Sequence, residues 1–135
     1  MEMKRFVSIV LILCCVFSVS FAADQDDGVM PLYDHIALII VSLDISDSGY
    51  AESSGVVSLY PGYGATLKLE LQKLDNGWTT IDSYSGSGSG PEGVYVYLDR
   101  YVVHGTYRAK VTIDVTNSAG SVVETVTETS YLKTY

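Results

Sequence analysis

The sequence predicts an all-β fold: one antiparallel sandwich of about seven strands. Three observations carry that prediction. From Tyr107 to Thr116 the chain alternates without a break, with Tyr107, Ala109, Val111, Ile113 and Val115 on one face. Arg108, Lys110, Thr112, Asp114 and Thr116 take the other face, which is the two-residue period of a half-buried strand. Asn117-Ser118-Ala119-Gly120 follows as a turn, with Gly120 free to take the positive φ that closes it, and Val122 to Thr129 runs back as a hairpin partner. Turn signals then recur roughly every eight to fifteen residues along the chain, with almost no helical period between them.

Residues 1–22 read as a signal peptide. Lys4 and Arg5 give a basic start, Phe6 to Val19 an apolar stretch, and Ser20-Phe21-Ala22 the small residues that a signal peptidase recognises, with cleavage expected after Ala22. The apolar stretch is too short to span a bilayer comfortably, so no stable membrane insertion is expected after cleavage. Leu11-Ile12-Leu13-Cys14 begins like a lipid-attachment box, but Leu13 stands where such boxes take Gly, Ala or Ser. Cys14 and Cys15 are the only cysteines of the chain, so cleavage leaves neither disulfide nor thiolate metal site. Residues 23–31 form an acidic leader without regular structure, and residues 32–135 the β-sandwich. A domain of that size buries roughly two-thirds of its unfolded surface and can stand on its core alone.

Charge narrows the partners. The chain has eight Lys and Arg against sixteen Asp and Glu; without Glu2, Lys4 and Arg5 the remainder is six against fifteen, a net of −9. Phosphate backbones and anionic membrane surfaces repel such a chain, which excludes nucleic acid and lipid as natural partners. The localisation expected is extracellular, as a secreted monomer.

Taken in order, the sandwich begins with Leu32 to Ile45. Ala37, Ile39, Val41, Leu43 and Ile45 share one parity and Ile36, Leu38 and Ile40 the other, so the first half of this strand is expected to be buried on both faces. A helix is the rival, but the β-branched residues and the lack of charge between His35 and Asp44 favour a strand. Asp47-Ser48-Gly49 breaks the chain before a weaker strand, Tyr50 to Tyr60. Pro61-Gly62-Tyr63-Gly64 turns into a clear one, in which Leu67, Leu69 and Leu71 alternate with Lys68, Glu70 and Gln72. Asp75-Asn76-Gly77 is a strong hairpin signal and Gly77 its structural residue, returning the chain into Trp78 to Tyr84. Ser85-Gly86-Ser87-Gly88-Ser89-Gly90-Pro91 reads as a flexible loop. Val94, Val96 and Leu98 mark one more short strand before the closing hairpin.

Gly105-Thr106-Tyr107, at the head of the best strand, resembles the tyrosine corner of immunoglobulin-like domains. The resemblance implies that the Tyr107 hydroxyl returns to upstream backbone. Val103 and Ala109 stand where family members often have Asp and Cys, so the sandwich architecture is supported and membership of an antibody-type family is not. Ser48-Gly49-Tyr50, Leu69-Glu70-Leu71-Gln72-Lys73, Gly77-Trp78, Tyr84-Ser85-Gly86-Ser87-Gly88 and Gly105-Thr106-Tyr107-Arg108 together give the chain another likeness. It is similar to uncharacterised small secreted proteins of Gram-positive bacteria, built as single immunoglobulin-like or fibronectin type III-like sandwiches. That group implies no reaction, cofactor or ligand.

Catalytic chemistry finds little support. His35 and His104 are the only histidines, and neither has a second ligand at metal spacing. There is no nucleophile elbow, no zinc-protease helix motif and no phosphate-cradling loop. Asp44, Asp47 and Glu52 gather around one turn and could chelate calcium, but they lack the alternating ligands of a calcium loop, so no metal is assigned. Aromatic residues are the better candidates. Of eleven tyrosines and one tryptophan, Trp78, Tyr84, Tyr95 and Tyr97 lie around the Gly-Ser stretch. Tyr95 and Tyr97 have the parity opposite Val94, Val96 and Leu98, so they point outward and could form a platform for a sugar ring or a partner protein. The function expected is a non-catalytic secreted binding module for an extracellular glycan or protein, without a cofactor. A small secreted hydrolase using acidic residues is the alternative. A third reading is a structural sandwich that interacts only with itself through an edge strand.

Overall fold

Alternation decides which face each side chain takes, and pairing register decides which strands share a sheet. The structure, a computed structural model, describes residues 33–135. The expected signal peptide (residues 1–22), the acidic leader (residues 23–31), Leu32 and both cysteines lie outside the described residues.

Seven long strands run in chain order: β1 (Ile36–Ile45), β2 (Tyr50–Leu59), β3 (Gly64–Leu74), β4 (Trp78–Ser89), β5 (Val94–Tyr101), β6 (Thr106–Thr116) and β7 (Val122–Thr129). A two-residue strand, β8 (Lys133–Thr134), pairs with the start of β6. Every pairing is antiparallel, in two sheets ordered β1-β2-β5 and β4-β3-β6-β7. Among the described residues there is no helix. This is the β-sandwich that the sequence predicts. In the constant-type immunoglobulin order the fourth strand completes the first sheet; here β4 pairs with β3 and widens the second.

The core lies between the sheets. From the first come Ala51, Val57 and Leu59 of β2 and Val94, Val96 and Leu98 of β5. The second supplies Leu67, Leu69 and Leu71 of β3 and Tyr107, Ala109, Val111, Ile113 and Val115 of β6. On β6 the alternation is complete, every second residue being buried from Tyr107 to Val115. The turns form as their residues require. Asn76 and Gly77 both take positive φ, as does Gly120, and the Asn117 side-chain oxygen accepts from the amides of Ala119 and Ser121.

Two expectations are corrected. The Gly-Ser stretch is not a loop: Ser85 to Ser89 continues β4, paired with Gly64 to Lys68 of β3. Gly86 and Gly88 lie opposite Leu67 and Ala65, on the inner face, close to Val94 and Val96. A Cβ on Gly88 would run into the carbonyl of Gly93. The missing side chains therefore let β5 approach β4, and only Gly90 to Gly93 is left to turn the chain between the sheets. The second correction concerns β1. It pairs only with β2 and is not buried on both faces: Leu38 is 44% and Ile40 48% exposed, while Ile36 and Leu43 are buried. Register shifts between Ile36 and Leu38, which puts Ile36 on the same inner face as Leu43 despite their opposite parity.

Short contacts close the open side of the sandwich between β1 and β7. The Tyr33 hydroxyl donates to the Glu128 carboxylate. Glu124 accepts from the backbone amides of Asp34 and His35 at 3.3 Å and meets His35 Nδ1 at 3.4 Å. At the opposite flank, Arg100 of β5 donates from Nη1 to the Ile81 carbonyl of β4 at 3.0 Å. Tyr107 makes the tyrosine-corner contact: its buried ring sends the hydroxyl to the Val103 carbonyl at 2.7 Å, and burial pushes its pKa up.

Tyr107→Phe deletes that hydrogen bond with little change in volume, and it should lower unfolding free energy by about 1 kcal/mol. Denaturant midpoints measure this, and an unchanged midpoint would show that the corner bond adds nothing. A second expectation follows from Tyr33. Its pKa is pushed up to about 12, chiefly by the hydrogen bond to Glu128 and then by burial. The fold therefore favours the neutral phenol, whose contribution is complete below the ordinary tyrosine value of about 10 and is lost as pH rises through about 12. Stability measured across that alkaline window should fall less steeply in Tyr33→Phe than in the parent, and parallel declines would contradict it.

Candidate functional site

The outer face of the β1-β2-β5 sheet gathers the residues with functional promise. Its register sets them in rows across three strands. Ile40, Val56 and Tyr95 form one row, Ser42, Ser54 and Tyr97 the next, and Asp44, Glu52 and Asp99 a third. Beyond the acids, Tyr50 pairs with Tyr101, their rings 5.0 Å apart and tilted by 57°. Tyr95 and Tyr97 stand two residues apart on β5, so both project outward, 65% and 41% exposed. Between them and β1 lies a shallow depression of about 260 Å³, lined by both tyrosines, by Ser42 and Ser54, and by Asp44 and Glu52.

Hydrogen bonds order this face. Ser42 and Ser54 hydroxyls meet at 2.6 Å, and the Tyr97 hydroxyl donates to Glu52 Oε1 at 2.9 Å. The Tyr50 hydroxyl donates to Asp99. The bond to Glu52, followed by burial, raises the Tyr97 pKa, so the ring stays a neutral donor well above physiological pH. No Lys or Arg occurs in the three rows. Like charges directly opposite one another across strands disfavour pairing, and the Tyr97 and Tyr50 hydroxyls each give one of these acids a donor.

The four aromatic residues expected to gather do not form one platform. Tyr95 and Tyr97 share the face just described. Tyr84 belongs to the other sheet: it pairs with Leu69 and is 63% exposed at the β4 edge. Trp78, at the start of β4, is half-buried beneath the Arg108 guanidinium, which lies 4.2 Å from its ring centre. Arg108 Nε donates to Gln72 Oε1 at 2.9 Å, Gln72 Nε2 to Thr80 Oγ1 at 3.2 Å, and Thr80 Oγ1 to Glu70 Oε1 at 3.0 Å. Trp78 is thus the end of a structural polar chain. The turn acids divide as well. Asp44 and Glu52 face each other across β1 and β2, but the third member of their row is Asp99, not Asp47. Among the described residues no group of three His, Cys, Asp or Glu has the arrangement to hold a metal ion. His35 packs on Tyr63 and His104 stacks on Tyr135, with ring centres 4.4 and 4.3 Å apart.

Sequence reasoning missed Ser42, Ser54, Asp99 and Tyr50 as neighbours of the tyrosines. Parity along β5 places Asp99 on the face of Tyr95 and Tyr97, so that member was readable. The others depend on the register between strands distant in sequence. No protein-family model matches this chain, and comparison with curated proteins finds no match.

Trp78→Ala removes a cation–π contact and part of a half-buried ring. It should cost about 1–2 kcal/mol in thermal or denaturant unfolding. It should leave untouched any ligand held by Tyr95 and Tyr97, which belong to the other sheet. Loss of such binding in a folded Trp78→Ala protein would place the contact surface elsewhere.

Proposed function

We propose that the chain is a secreted, non-catalytic binding module on a fibronectin type III-like sandwich, and that its ligand is a glycan held on the outer face of the β1-β2-β5 sheet. One observation carries the reading: two outward tyrosines on one strand border a depression that the hydroxyls of Ser42 and Ser54 and the carboxylates of Asp44 and Glu52 also line. A sugar ring offers an apolar C–H face and a rim of hydroxyls. Tyrosine rings suit the first, presenting large area at small entropic cost. Serine hydroxyls and carboxylate oxygens suit the second, since bonds to an ionised acceptor are the stronger kind. With no cation in the rows, the face favours neutral or amine-bearing sugars and repels acidic ones. Secretion rests on the character of residues 1–22, and the likeness to small secreted Gram-positive sandwiches agrees with it.

The hydrolase alternative would use the same acids. Glu52 and Asp99 each accept a hydrogen bond from a tyrosine, which suits two carboxylates held as acceptors. A glycosidase needs one carboxyl kept protonated as an acid while the other stays ionised. The binding reading therefore stands first.

Retention on immobilised neutral polysaccharide, on a glucosamine polymer and on a polyuronate tests it. Retention is expected on one of the first two and not on the polyuronate. Tyr95→Ala and Tyr97→Ala together should weaken it tenfold or more, which corresponds to about 1.4 kcal/mol, with the melting temperature nearly unchanged. Retention that survives both substitutions would overturn the assignment of this face. Release of shortened oligosaccharide, abolished by Glu52→Gln, would favour the hydrolase.

A further inference from the structure

Tyr50 and Tyr101 lie directly opposite one another where β2 and β5 end their pairing, one row beyond the acids. Among the described residues theirs is the ring contact that joins two tyrosines; His35 with Tyr63 and His104 with Tyr135 are mixed pairs. The two ring centres are 5.0 Å apart and the planes are tilted by 57°. Phenols joined by a single ring-to-ring bond are likewise twisted out of one plane, with their centres only slightly nearer. Small rotations of the two side chains therefore bring a ring carbon beside one hydroxyl onto its counterpart in the other ring. Tyr101 is 70% exposed and open to a reagent from solvent, while Tyr50 is half-buried. The Tyr50 hydroxyl donates to the Asp99 carboxylate, so an acceptor for its proton is already in place.

We propose that Tyr50 and Tyr101 are an oxidative cross-linking site, joined ring to ring as dityrosine by a haem peroxidase and hydrogen peroxide. Phenols hold their proton at neutral pH, and a phenol that has lost an electron becomes a strong acid. Oxidation of Tyr101 releases its proton to water. Oxidation of Tyr50 hands its proton to Asp99, which passes it to water. The two phenoxyl radicals then couple through ring carbons beside their hydroxyls, and the hydrogen on each of those carbons moves to that ring's own oxygen. In all, the two tyrosines lose two electrons and two protons, and one hydrogen peroxide takes them up to give two waters. Strand register holds the two rings together, so coupling within one chain is unimolecular and outruns coupling between chains at low concentration. The new bond fastens β2 to β5 in a domain whose described residues contain no cysteine. It closes a loop from residue 50 to residue 101, which restricts the unfolded chain as a disulfide does.

Treatment of the full chain at low concentration with a haem peroxidase and hydrogen peroxide tests this, read by intact mass and by mass spectrometry of its peptides. The expected product has the single-chain mass less two hydrogens, fluoresces as dityrosine, and yields a peptide pair joined at Tyr50 and Tyr101. Its melting temperature should rise on treatment. Tyr101→Phe should abolish both the product and the rise, and it should leave the untreated melting temperature nearly unchanged, because the side chain is largely exposed. Asp99→Asn keeps both rings and should slow the coupling by about tenfold. Exposure alone would instead favour Tyr131, which is 91% exposed. Links that map to Tyr131 in place of the pair, or that form only between chains, would overturn the proposal. So would coupling that Asp99→Asn leaves at the parent rate.

Discussion

The spacing between the two sheets is fixed where Gly55 of β2 meets Val111 of β6. A Cβ on Gly55 would lie 2.7 Å from Val111 Cγ1 and 3.2 Å from Leu67 Cδ2, closer than side chains tolerate. The sheets therefore approach as nearly as backbone against side chain allows, and Leu67, Val111, Ile113 and Val115 become fully inaccessible. The described residues contain no cysteine, so this contact layer substitutes for a disulfide. The same device recurs at the flank, where Gly86 and Gly88 let β4 close on β5. Glycine is used here for distance, not for flexibility.

That distinction explains what the sequence reveals and what it hides. β6 and β3 are legible because their inward and outward residues differ in polarity at every step, and the Asn-Gly and Asn-Ser-Ala-Gly turns are legible because they need positive φ. The Gly-Ser stretch misleads because composition cannot distinguish a chain free of side chains from one whose neighbour occupies their space. β1 misleads for another reason. Its two apolar parities state how much burial the strand can accept, and one chain supplies only part of it.

The outer faces of the two sheets differ in how they meet their own needs. On the second sheet, polar side chains serve one another: Trp78 holds Arg108, which holds Gln72, and the chain continues through Thr80 to Glu70, which meets Lys68 at 3.7 Å. Thr125 donates to Asp114 at 2.9 Å, and Thr66 meets Ser87 at 3.1 Å. On the first sheet the closure is partial: Ser42 meets Ser54, Tyr97 donates to Glu52 and Tyr50 donates to Asp99. Its acids lack cations, its tyrosines lack covering atoms, and its edge isoleucine lies in water. A sheet that leaves both charge and apolar area unanswered is the one where an external partner gains most. Parity alone placed Tyr95 and Tyr97 there; the serines and acids around them became visible only with the register of β1 on β2 and β2 on β5.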